Sequence, residues 1–421
     1  MLDLKFIREN PDLVKAGIAK KNDKSDIDAI LDLDRQRRDV LKQVEDLRAE
    51  RNRVSAEVGQ RKKAGEPAED IIARMRRVGD QISELDEKLR EIDQKLHTAL
   101  SWIPNIPHES APVGSDENAN VVHREWGEKP NPDFKVLPHW EIGEKLGILD
   151  LPTAATVTGS GFYVLKGMGA RLQRALINYM LDRHAEDGFK ECVTPYLVTS
   201  NAMFGTGQLP KMAEDMYFLE KDDLYLIPTG EVPLTNFYRD QILSYQQLPI
   251  YLVGHTPCFR REAGAAGKDT RGMIRVHQFD KVELVKIVHP DTSYDELESL
   301  VQQAEKVLQG LELPYRVCEL ATGDLTFAST KCYDIELWAA GVEKYLEVSS
   351  ISCFEEFQAR RMNCRFRDED KAVRFPHTLN GSGVALARLI AAILENYQNA
   401  DGTITVPEVL HPYLGGVKTI G

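Results

Sequence analysis

Several familiar nucleotide-binding signals are absent from this chain of 421 residues. It has no G-x-x-x-x-G-K-[ST] loop, because the nearest stretch, GAAGKD, has the wrong spacing and lacks the hydroxyl residue. It also lacks the G-x-G-x-x-G fingerprint between a strand and a helix that marks a dinucleotide site. If the chain binds ATP, arginines on a sheet must therefore hold it.

Cysteine pairs and long apolar runs are scarce as well. No apolar run approaches the ~18 residues of a membrane span, and the N-terminal stretch MLDLKFIRENPDL lacks the pattern of a signal peptide. We therefore expect a cytoplasmic protein with no membrane partner. The cysteines form no C-x-x-C pair, which predicts reduced thiols rather than disulfides or metal ligands; they are Cys192, Cys258, Cys318, Cys332, Cys353 and Cys364.

The net charge of −13 argues against a nucleic-acid partner for the chain as a whole. The charge is unevenly distributed, however. Residues 35–97 contain 16 Lys and Arg against 14 Asp and Glu. The N-terminal third therefore remains open to a phosphate-bearing partner.

Two heptad series lie in this N-terminal third, separated by the helix-breaking stretch KKAGEPAED. They predict an antiparallel coiled-coil hairpin over about residues 30–103, in which a helix of about 35 residues reaches roughly 50 Å. In the first series Arg37 and Arg51 occupy two slots, and the apolar members are Ile30, Leu33, Val40, Val44, Leu47, Val54 and Val58. The second series is Ile71, Met75, Val78, Ile82, Leu85, Leu89, Ile92, Leu96, Ala99 and Ile103.

Two interpretations of the hairpin remain open. A coiled coil can serve dimerisation, but one chain already supplies both strands of this one. Alternatively, the hairpin is an arm that binds a large polyanion through cations near its tip. Those cations are Arg51, Arg53, Arg61, Lys62, Lys63, Arg74, Arg76 and Arg77.

The rest of the chain predicts a second domain of the α+β class. Residues 104–120 are rich in Pro, Ser, Asn and Asp, which indicates a linker between domains 1–103 and 121–421. Strand-like runs outnumber βαβ units, so we expect a mostly antiparallel sheet flanked by helices. The predicted helices cover 170–188, 291–311 and 383–397, and the predicted strands include 189–198, 223–234, 250–260 and 273–288.

The stretch FRREAGAAGKDTRGMIRVHQFDKVE predicts a β-hairpin that holds an anion. Arginines stand at both ends of its glycine-rich loop, which contains Gly264, Gly267, Gly272, Lys268 and Arg271 and is expected to move. Strand alternation places Arg275, His277, Phe279, Lys281 and Glu283 on one face, opposite Arg260 and Glu262. Guanidinium groups beside a ring suit phosphate and base. A charged, solvated sheet face remains the alternative.

Three weaker signals accompany this hairpin. Arg388 lies in the apolar run VALARLIAAIL, after Gly381 and Gly383, which permit close approach to a ligand. Glu347 precedes hydroxyl residues, a combination that suits Mg²⁺ shared with phosphates. The TGE sequence at 229–231 offers a carboxylate between apolar runs that could hold an ammonium group.

Together these motifs resemble those of class II aminoacyl-tRNA synthetases, specifically the bacterial-type seryl-tRNA synthetases. The long helix with ECVTPYLV resembles motif 1, FRREAG…RVHQFDKVE resembles motif 2, and GSGVALARL resembles motif 3. TGE, ATGD at 321–324 and the hairpin arm are also similar to the seryl enzymes. The resemblance covers the whole chain and implies a class II catalytic sheet behind a coiled-coil arm that binds tRNA.

The resemblance also implies roles for individual residues. The residues expected to act in catalysis are Arg260, Glu262, Arg275 and Arg388. Those expected to bind ATP are Arg260, Arg261, Glu262, Arg275, Val276, Phe279, Glu347, Val348, Ser349, Ser350 and Arg388. Those expected to bind serine are Thr229, Gly230, Glu231, Arg260, Glu283, Asn380 and Ser382. Glu347 and Ser350 are the expected Mg²⁺ ligands, and no zinc is expected.

The implied reaction is ATP-dependent activation of L-serine, followed by transfer to the 3′ end of tRNA(Ser) and also of tRNA(Sec), by a homodimer. Two other functions are compatible with the fold. An enzyme that loads a carrier protein would lack the arm, and a silent RNA-binding homologue would lack Arg260, Arg275 or Arg388. This chain has the arm and all three arginines.

Overall fold

The computed structural model describes residues 1–65, 67–263 and 271–421. The chain forms two compact units: a smaller one of Leu2–Ala19 and Asp23–Ile103, and a larger one of Met1, Lys20–Asn22 and Pro104–Gly421. The α-helices are α1 Leu4–Glu9, α2 Pro11–Lys20, α3 Ile27–Ala64, α4 Glu69–Ser101, α5 His139–Lys145, α6 Leu151–Thr158, α7 Met168–Glu186, α8 Ser200–Thr206, α9 Glu231–Thr235, α10 Ser293–Gly310, α11 Phe357–Met362 and α12 Leu386–Asn396.

The smaller unit is dominated by the hairpin of α3 and α4, which confirms the two predicted heptad helices. Asp26 caps α3 by accepting a hydrogen bond from the amide of Ala29 at 3.0 Å. The helix ends at Gly65, within the stretch where the sequence predicts a break.

The heptad residues form the buried seam between these helices. Val40, Val44 and Ile92 form one apolar cluster, with Leu85 and Leu89 packed beside it. Arginine interrupts the first series without breaking the seam, since Nε of Arg37 lies 2.6 Å from Oδ1 of Asp93 on the opposite helix. The seam is therefore closed by apolar contacts and by ion pairs between the helices.

The larger unit contains an eight-stranded sheet with the order β1-β11-β12-β13-β16-β10-β9-β4. Neighbouring strands are antiparallel except β9 and β4, which confirms the predicted class. The strands are β1 Val121–Trp126, β2 Leu149–Asp150, β3 Val164–Leu165, β4 Lys190–Glu191, β5 Leu197–Thr199, β6 Phe218–Leu219, β7 Leu224–Leu226, β8 Ile242–Ser244, β9 Ile250–Phe259, β10 Gln278–Val288, β11 Tyr315–Glu319, β12 Lys331–Ala339, β13 Lys344–Glu355, β14 Arg365–Arg367, β15 Val373–Arg374, β16 His377–Ala385, β17 Ile404–Thr405 and β18 Thr419–Ile420.

The main core lies between this sheet and the helices α7, α10 and α12, whose buried side chains join one apolar cluster with the sheet. On β10 the even-numbered Val282 and Leu284 belong to this core. The alternate residues Val285 and Ile287 belong to a second cluster. Because strand residues alternate between faces, β10 leaves Lys281 and Glu283 on the face opposite the main core.

The predicted strand 273–288 is shorter than expected, because β10 begins only at Gln278. The preceding backbone amides are bonded elsewhere: that of Met273 donates to His139 Nε2 at 2.9 Å, and that of His277 donates to the carbonyl of Gly161 at 2.8 Å. Arg275 and His277 are therefore outside the strand alternation. The predicted strand 223–234 is likewise only β7, followed by the helix α9.

The sequence does not predict the central strand β16, which includes the stretch TLNGSGVA. The predicted helix 383–397 starts instead at Leu386, and β16 occupies 377–385. The glycines here serve packing between elements. A Cβ on Gly381 would lie 2.9 Å from Cγ1 of Ile351, and one on Gly383 would lie 2.4 Å from Nε2 of His184.

Residues 104–120, predicted to be a linker, belong to the larger unit and form hydrogen bonds with its other segments. The side-chain amide of Asn105 donates to the carbonyls of Ala328 and Phe354, and the backbone amide of Thr322 donates to Pro112. The six cysteines are free thiols. No helix in the described ranges is long and apolar enough to cross a bilayer.

The coiled-coil seam can be tested with Ile92→Ala. Removing this buried side chain should lower the local free energy of opening of the hairpin by about 2–5 kcal/mol. Hydrogen exchange of the α3 and α4 amides measures this opening. The exposed neighbour Glu91 supplies the control, Glu91→Ala, whose exchange should match that of the parent. Equal exchange in all three proteins would contradict the seam.

Candidate active site

A cavity of about 340 Å³ opens on the face of the sheet formed by β10, β16 and β13. It brings together nearly all residues for which the sequence predicts ATP or serine binding. Its lining includes Thr229, Glu231, Arg260, Glu262, Arg275, Val276, Phe279, Glu283, Glu347, Val348, Ser349, Ser350, Asn380, Ser382 and Arg388. Residues from several separate chain segments thus share one volume.

Three arginines line one part of this cavity. Nε of Arg260 donates to the carbonyl of Pro228 at 3.2 Å, and its guanidinium lies 5.2 Å from the ring centroid of Phe279. Nε of Arg388 donates to the carbonyl of Ile274 at 3.0 Å. Carbonyls orient these two side chains, and no carboxylate of the described residues pairs with Arg260, so the positive charge of Arg260 remains available to an anion.

Carboxylates accompany two of the three arginines. Nη1 of Arg275 donates to Oε2 of Glu262 at 2.8 Å. Nη1 of Arg388 lies 3.6 Å from Oε2 of Glu347, whose side chain is 48% exposed. Glu347 is therefore accessible enough to exchange partners when a cation enters the cavity, whereas Glu262 is mostly buried beside Arg275.

The opposite part of the cavity is lined by buried carboxylates. Glu283 is fully buried, and its Oε1 accepts a hydrogen bond from Nδ2 of Asn380 at 3.1 Å. Its Oε2 forms an ion pair with Nζ of Lys281, which also donates to Oγ1 of Thr229 at 2.8 Å. Ser382 is the register partner of Glu283 on β16. A buried charge requires such compensation.

Glu231 is the second buried carboxylate and the first residue of α9. Its Oε1 accepts a hydrogen bond from Gln358 at 2.6 Å, and its Oε2 accepts one from Gln208 at 3.3 Å. Burial, with the charge of Glu283 added, raises the pKa of Glu231 from 4.5 to about 7. A cation bound beside it would favour the ionised form.

Among the residues predicted to bind ATP or serine, Arg261 and Gly230 are the two outside the lining. Nε of Arg261 donates to the carbonyl of Met216 at 2.9 Å, and its guanidinium lies 4.9 Å from the ring of Tyr217. Arg261 therefore stabilises the segment beside the cavity. Gly230 packs directly behind Glu283, because a Cβ at this glycine would lie 3.0 Å from the Cβ of Glu283.

The predicted Mg²⁺ ligands, Glu347 and Ser350, both line the cavity. Their oxygens fit a cation that takes few protein ligands and completes its shell with phosphates and water. Beneath them, Asp334 is the register partner of Ser350, and burial, with the charge of Glu347 added, raises the pKa of Asp334 well above its ordinary range. In the described ranges no group of three or more His, Cys, Asp or Glu side chains could hold a metal ion.

Other polar residues reach the site without having been predicted to do so. Strand alternation placed Lys281 on the same face as Glu283, but the sequence assigned it no role in the site; in the structure it is buried and contacts Glu283 and Thr229. Gln208 and Gln358 come from segments distant in sequence, and no local pattern marks them. The mobile loop predicted around Gly264, Gly267 and Lys268 lies outside the described residues.

Two family models match the chain. Residues 1–107 match the N-terminal domain of seryl-tRNA synthetases, and residues 217–397 match the core domain of class II tRNA synthetases for G, H, P, S and T. Curated relatives are similar over the full length. A serine–tRNA ligase of Desulfitobacterium hafniense is 56% identical and covers 100% of both chains, and one of Thermodesulfovibrio yellowstonii is 54% identical over 99% of both.

Solved structures give the same relationship. A seryl-tRNA synthetase of Pyrococcus horikoshii complexed with ATP has a TM-score of 0.94 and 42% identity, covering 100% of this chain and 99% of that one. A cytoplasmic serine–tRNA ligase of Naegleria fowleri in complex with AMP has a TM-score of 0.90 and 30% identity, covering 100% and 98%.

The raised pKa of Glu231 predicts a pH-dependent stability that Glu231→Gln should remove. The folded chain holds the proton of Glu231 more tightly than the unfolded chain does, so ionisation of Glu231 destabilises the folded state. This loss of stability is absent below pH 4.5, grows as the pH rises and is complete above about pH 7. Between pH 5 and pH 8, the unfolding free energy of the variant should rise relative to the parent by roughly 2–3 kcal/mol.

Urea unfolding at the two pH values measures this difference. Glu220 is exposed and supplies the control, because Glu220→Gln should show the same pH dependence as the parent. If Glu231→Gln also keeps the parent's pH dependence, Glu231 is ionised throughout and its burial has been offset by another group.

Proposed function

The chain belongs to the seryl-tRNA synthetase family, and we propose that the cavity on β10, β16 and β13 binds ATP and L-serine side by side and joins them as seryl-adenylate. The serine is then transferred to tRNA(Ser). The observation that carries this proposal is that three arginines and two buried carboxylates face the same cavity of about 340 Å³. Such a volume suits a triphosphate next to a small ammonium-bearing substrate.

In the first step the serine carboxylate attacks the α-phosphorus of ATP in line, and the bond to pyrophosphate breaks. Arg260 binds the α-phosphate and the serine carboxylate, while Arg275 and Arg388 hold the outer phosphates. Phe279 stacks on the adenine, and Glu262 contacts the edge of the base. The step needs no covalent enzyme intermediate, since positioning and charge neutralisation lower the barrier.

The serine side chain and its ammonium group are recognised by the acidic part of the cavity. Glu231 and Thr229 hold the ammonium group, and Glu231 becomes ionised when that cation binds. Glu283, Asn380 and Ser382 surround the hydroxyl. Lys281 balances the charge of Glu283, which supports a role for Glu283 as a hydrogen-bond acceptor for a neutral hydroxyl rather than as the main partner of the ammonium group.

Glu347 and Ser350 would hold Mg²⁺, whose charge, when bound, neutralises phosphate oxygens during the first step. Val348 and Ser349, the residues between them, also line the cavity, and the hydroxyl of Ser349 donates to the carbonyl of Ser382 at 2.6 Å. Arg261 remains a proposed ATP contact from family resemblance alone, since its side chain contacts Met216 and Tyr217. No zinc is proposed.

In the second step the 3′ hydroxyl of the terminal ribose of tRNA attacks the acyl carbon, and AMP leaves. The α3–α4 hairpin supports the tRNA partner, because exposed cations stand on both helices near its tip. We extend the proposal to tRNA(Sec), as members of this family commonly charge it, and to a cytoplasmic location. Homodimer formation is supported by exposed apolar side chains beside Pro195, those of Val193, Tyr196 and Leu197.

The serine pocket can be tested by asking which residue reads the hydroxyl. Alanine fits wherever serine fits, and an apolar pocket rejects it by only ~1–3 kcal/mol. A pocket that hydrogen-bonds the hydroxyl leaves its polar groups unpaired when alanine binds. Glu283→Ala should therefore lower kcat/KM for serine by at least ~100-fold, about 2.7 kcal/mol, and lower that for alanine far less.

The measurement is ATP–pyrophosphate exchange with each amino acid, on a variant shown by circular dichroism to be folded. Glu283→Gln is the matched variant, because it keeps an acceptor without the charge and should retain more of the serine preference. Equal decreases for serine and alanine would mean that Glu283 holds the ammonium group or the fold instead.

The role of the arm can be tested through salt. Binding of cations to phosphates releases counterions, so tRNA affinity should fall steeply as salt rises. Changing Arg51, Arg53, Arg76 and Arg77 to Gln should reduce the slope by roughly 0.7–0.9 for each phosphate that the arm no longer neutralises. Four exposed cations farther from the tip, changed to Gln together, form the control: Lys42, Lys88, Arg90 and Lys95. Equal slopes in both variants would place the tRNA-binding cations away from the tip.

A further inference from the structure

A buried histidine outside the cavity bonds the backbone that leads into it. His139 opens α5, and both its side chain and that of Glu395 on α12 are 0% exposed. Nδ1 of His139 lies 2.7 Å from Oε1 of Glu395, and Nε2 accepts the amide of Met273 at 2.9 Å. A backbone N–H can only donate, so Nε2 is unprotonated and Nδ1 carries the proton toward Glu395.

Glu395 is itself held from several sides. Oε1 also accepts the backbone amide of His139 at 2.9 Å. Oε2 accepts the amides of Gly341 at 2.8 Å and Val342 at 3.1 Å. Every oxygen of this buried carboxylate is therefore used, and the carboxylate in turn fixes the tautomer and the orientation of the imidazole ring.

The residue before Met273 is shaped to fit this ring. Gly272 has a φ of +65°, and a Cβ at this position would lie 2.1 Å from Nε2 of His139. Any larger residue would push the ring or the backbone aside. The next residue of α5 makes a parallel contact, since the guanidinium of Arg271 lies 5.3 Å from the ring centroid of Trp140.

From Met273 the connection to the cavity is direct. Met273, Ile274 and Arg275 all line the cavity. The carbonyl of Ile274 accepts Nε of Arg388 at 3.0 Å, and the next side chain is Arg275. His139 thus fixes the amide of Met273. The next residue, Ile274, supplies the carbonyl that orients Arg388, and the residue after it is Arg275.

We propose that His139 is a positioning residue for the triphosphate of ATP: it fixes the backbone at Gly272–Met273, and through it the guanidinium groups of Arg275 and Arg388. This inference rests on the proposed role of these two arginines in phosphate binding. His139 touches no substrate, and the sequence motifs of the cavity do not include it.

Two substitutions separate positioning from general stability. His139→Gln can place an amide oxygen near the position of Nε2 and so keep an acceptor for Met273. His139→Asn is shorter: it keeps a donor toward Glu395 but leaves the amide of Met273 without its buried partner. We expect His139→Asn to raise the KM for ATP about tenfold while the KM for serine changes less than about twofold.

His139→Gln should restore the KM for ATP to within about threefold of the parent. The control is His377→Asn, which alters a half-buried histidine bonded to Ser293 outside the cavity lining and should affect neither KM. The inference is overturned if folded His139→Asn has the parent's KM for ATP, or if both KM values rise together in both His139 variants.

A second measurement needs no variant. In the parent protein without nucleotide, the amide of Met273 should exchange with solvent at least about 100-fold more slowly than an unbonded amide. Fast exchange would overturn the inference even if the variants fail to fold. Arg275→Ala separates this inference from the proposed function: if that change leaves the KM for ATP unaltered, the phosphate role itself is wrong, whatever His139 does.

Discussion

The compensation of charge buried in the cavity of the larger unit is the constraint on which the rest of the site depends. Glu231 and Glu283 lie close enough for the charge of one to raise the pKa of the other, and both are shielded from water. Lys281 balances Glu283, whereas within the part of the chain that the structure describes the hydrogen-bond donors to the Glu231 carboxylate are the neutral amides of Gln208 and Gln358. One positive charge is therefore missing from this part of the cavity, and an amino-acid ammonium group can supply it.

The arginine part of the cavity has the opposite imbalance. Arg260 is oriented by a carbonyl without a carboxylate partner among the described residues, and Arg388 is oriented by a carbonyl beside the half-exposed Glu347, so this part of the cavity offers positive charge to an incoming polyanion. A single strand, β10, contributes to both parts, since Phe279 is near the arginines and Glu283 is near the buried carboxylates. The rise of this one β-strand thus sets the distance between the arginine part and the acidic part of the cavity.

The sequence predicts this fold well where local periodicity carries the information. The heptads identify α3 and α4, and the apolar run of α12 identifies a buried helix. It fails where tertiary contacts decide the conformation: β16 has the glycines and asparagine of a turn, yet these glycines make room for Ile351 and His184. Residues 273–277 have the composition of a strand, but His139 binds the amide of Met273 and the carbonyl of Gly161 binds the amide of His277.

The same distinction holds for the site. Arg260, Phe279, Glu283 and Arg388 were predictable because they belong to motifs that follow one another along the chain. The partners that set their charge and orientation, such as Gln358 and His139, lie in segments far away in sequence and have ordinary local surroundings. Sequence alone therefore indicates which groups line the cavity, whereas the structure is needed to identify what holds those groups in place.

The central claim is that this cavity activates serine before any tRNA is needed. The most direct test is serine-dependent exchange of radioactive pyrophosphate into ATP by the purified chain, with and without tRNA. We predict exchange with serine alone, at most weak exchange with alanine, and charging of tRNA(Ser) when it is added. No exchange with serine in either condition, by a folded protein with Mg²⁺ present, would contradict the account.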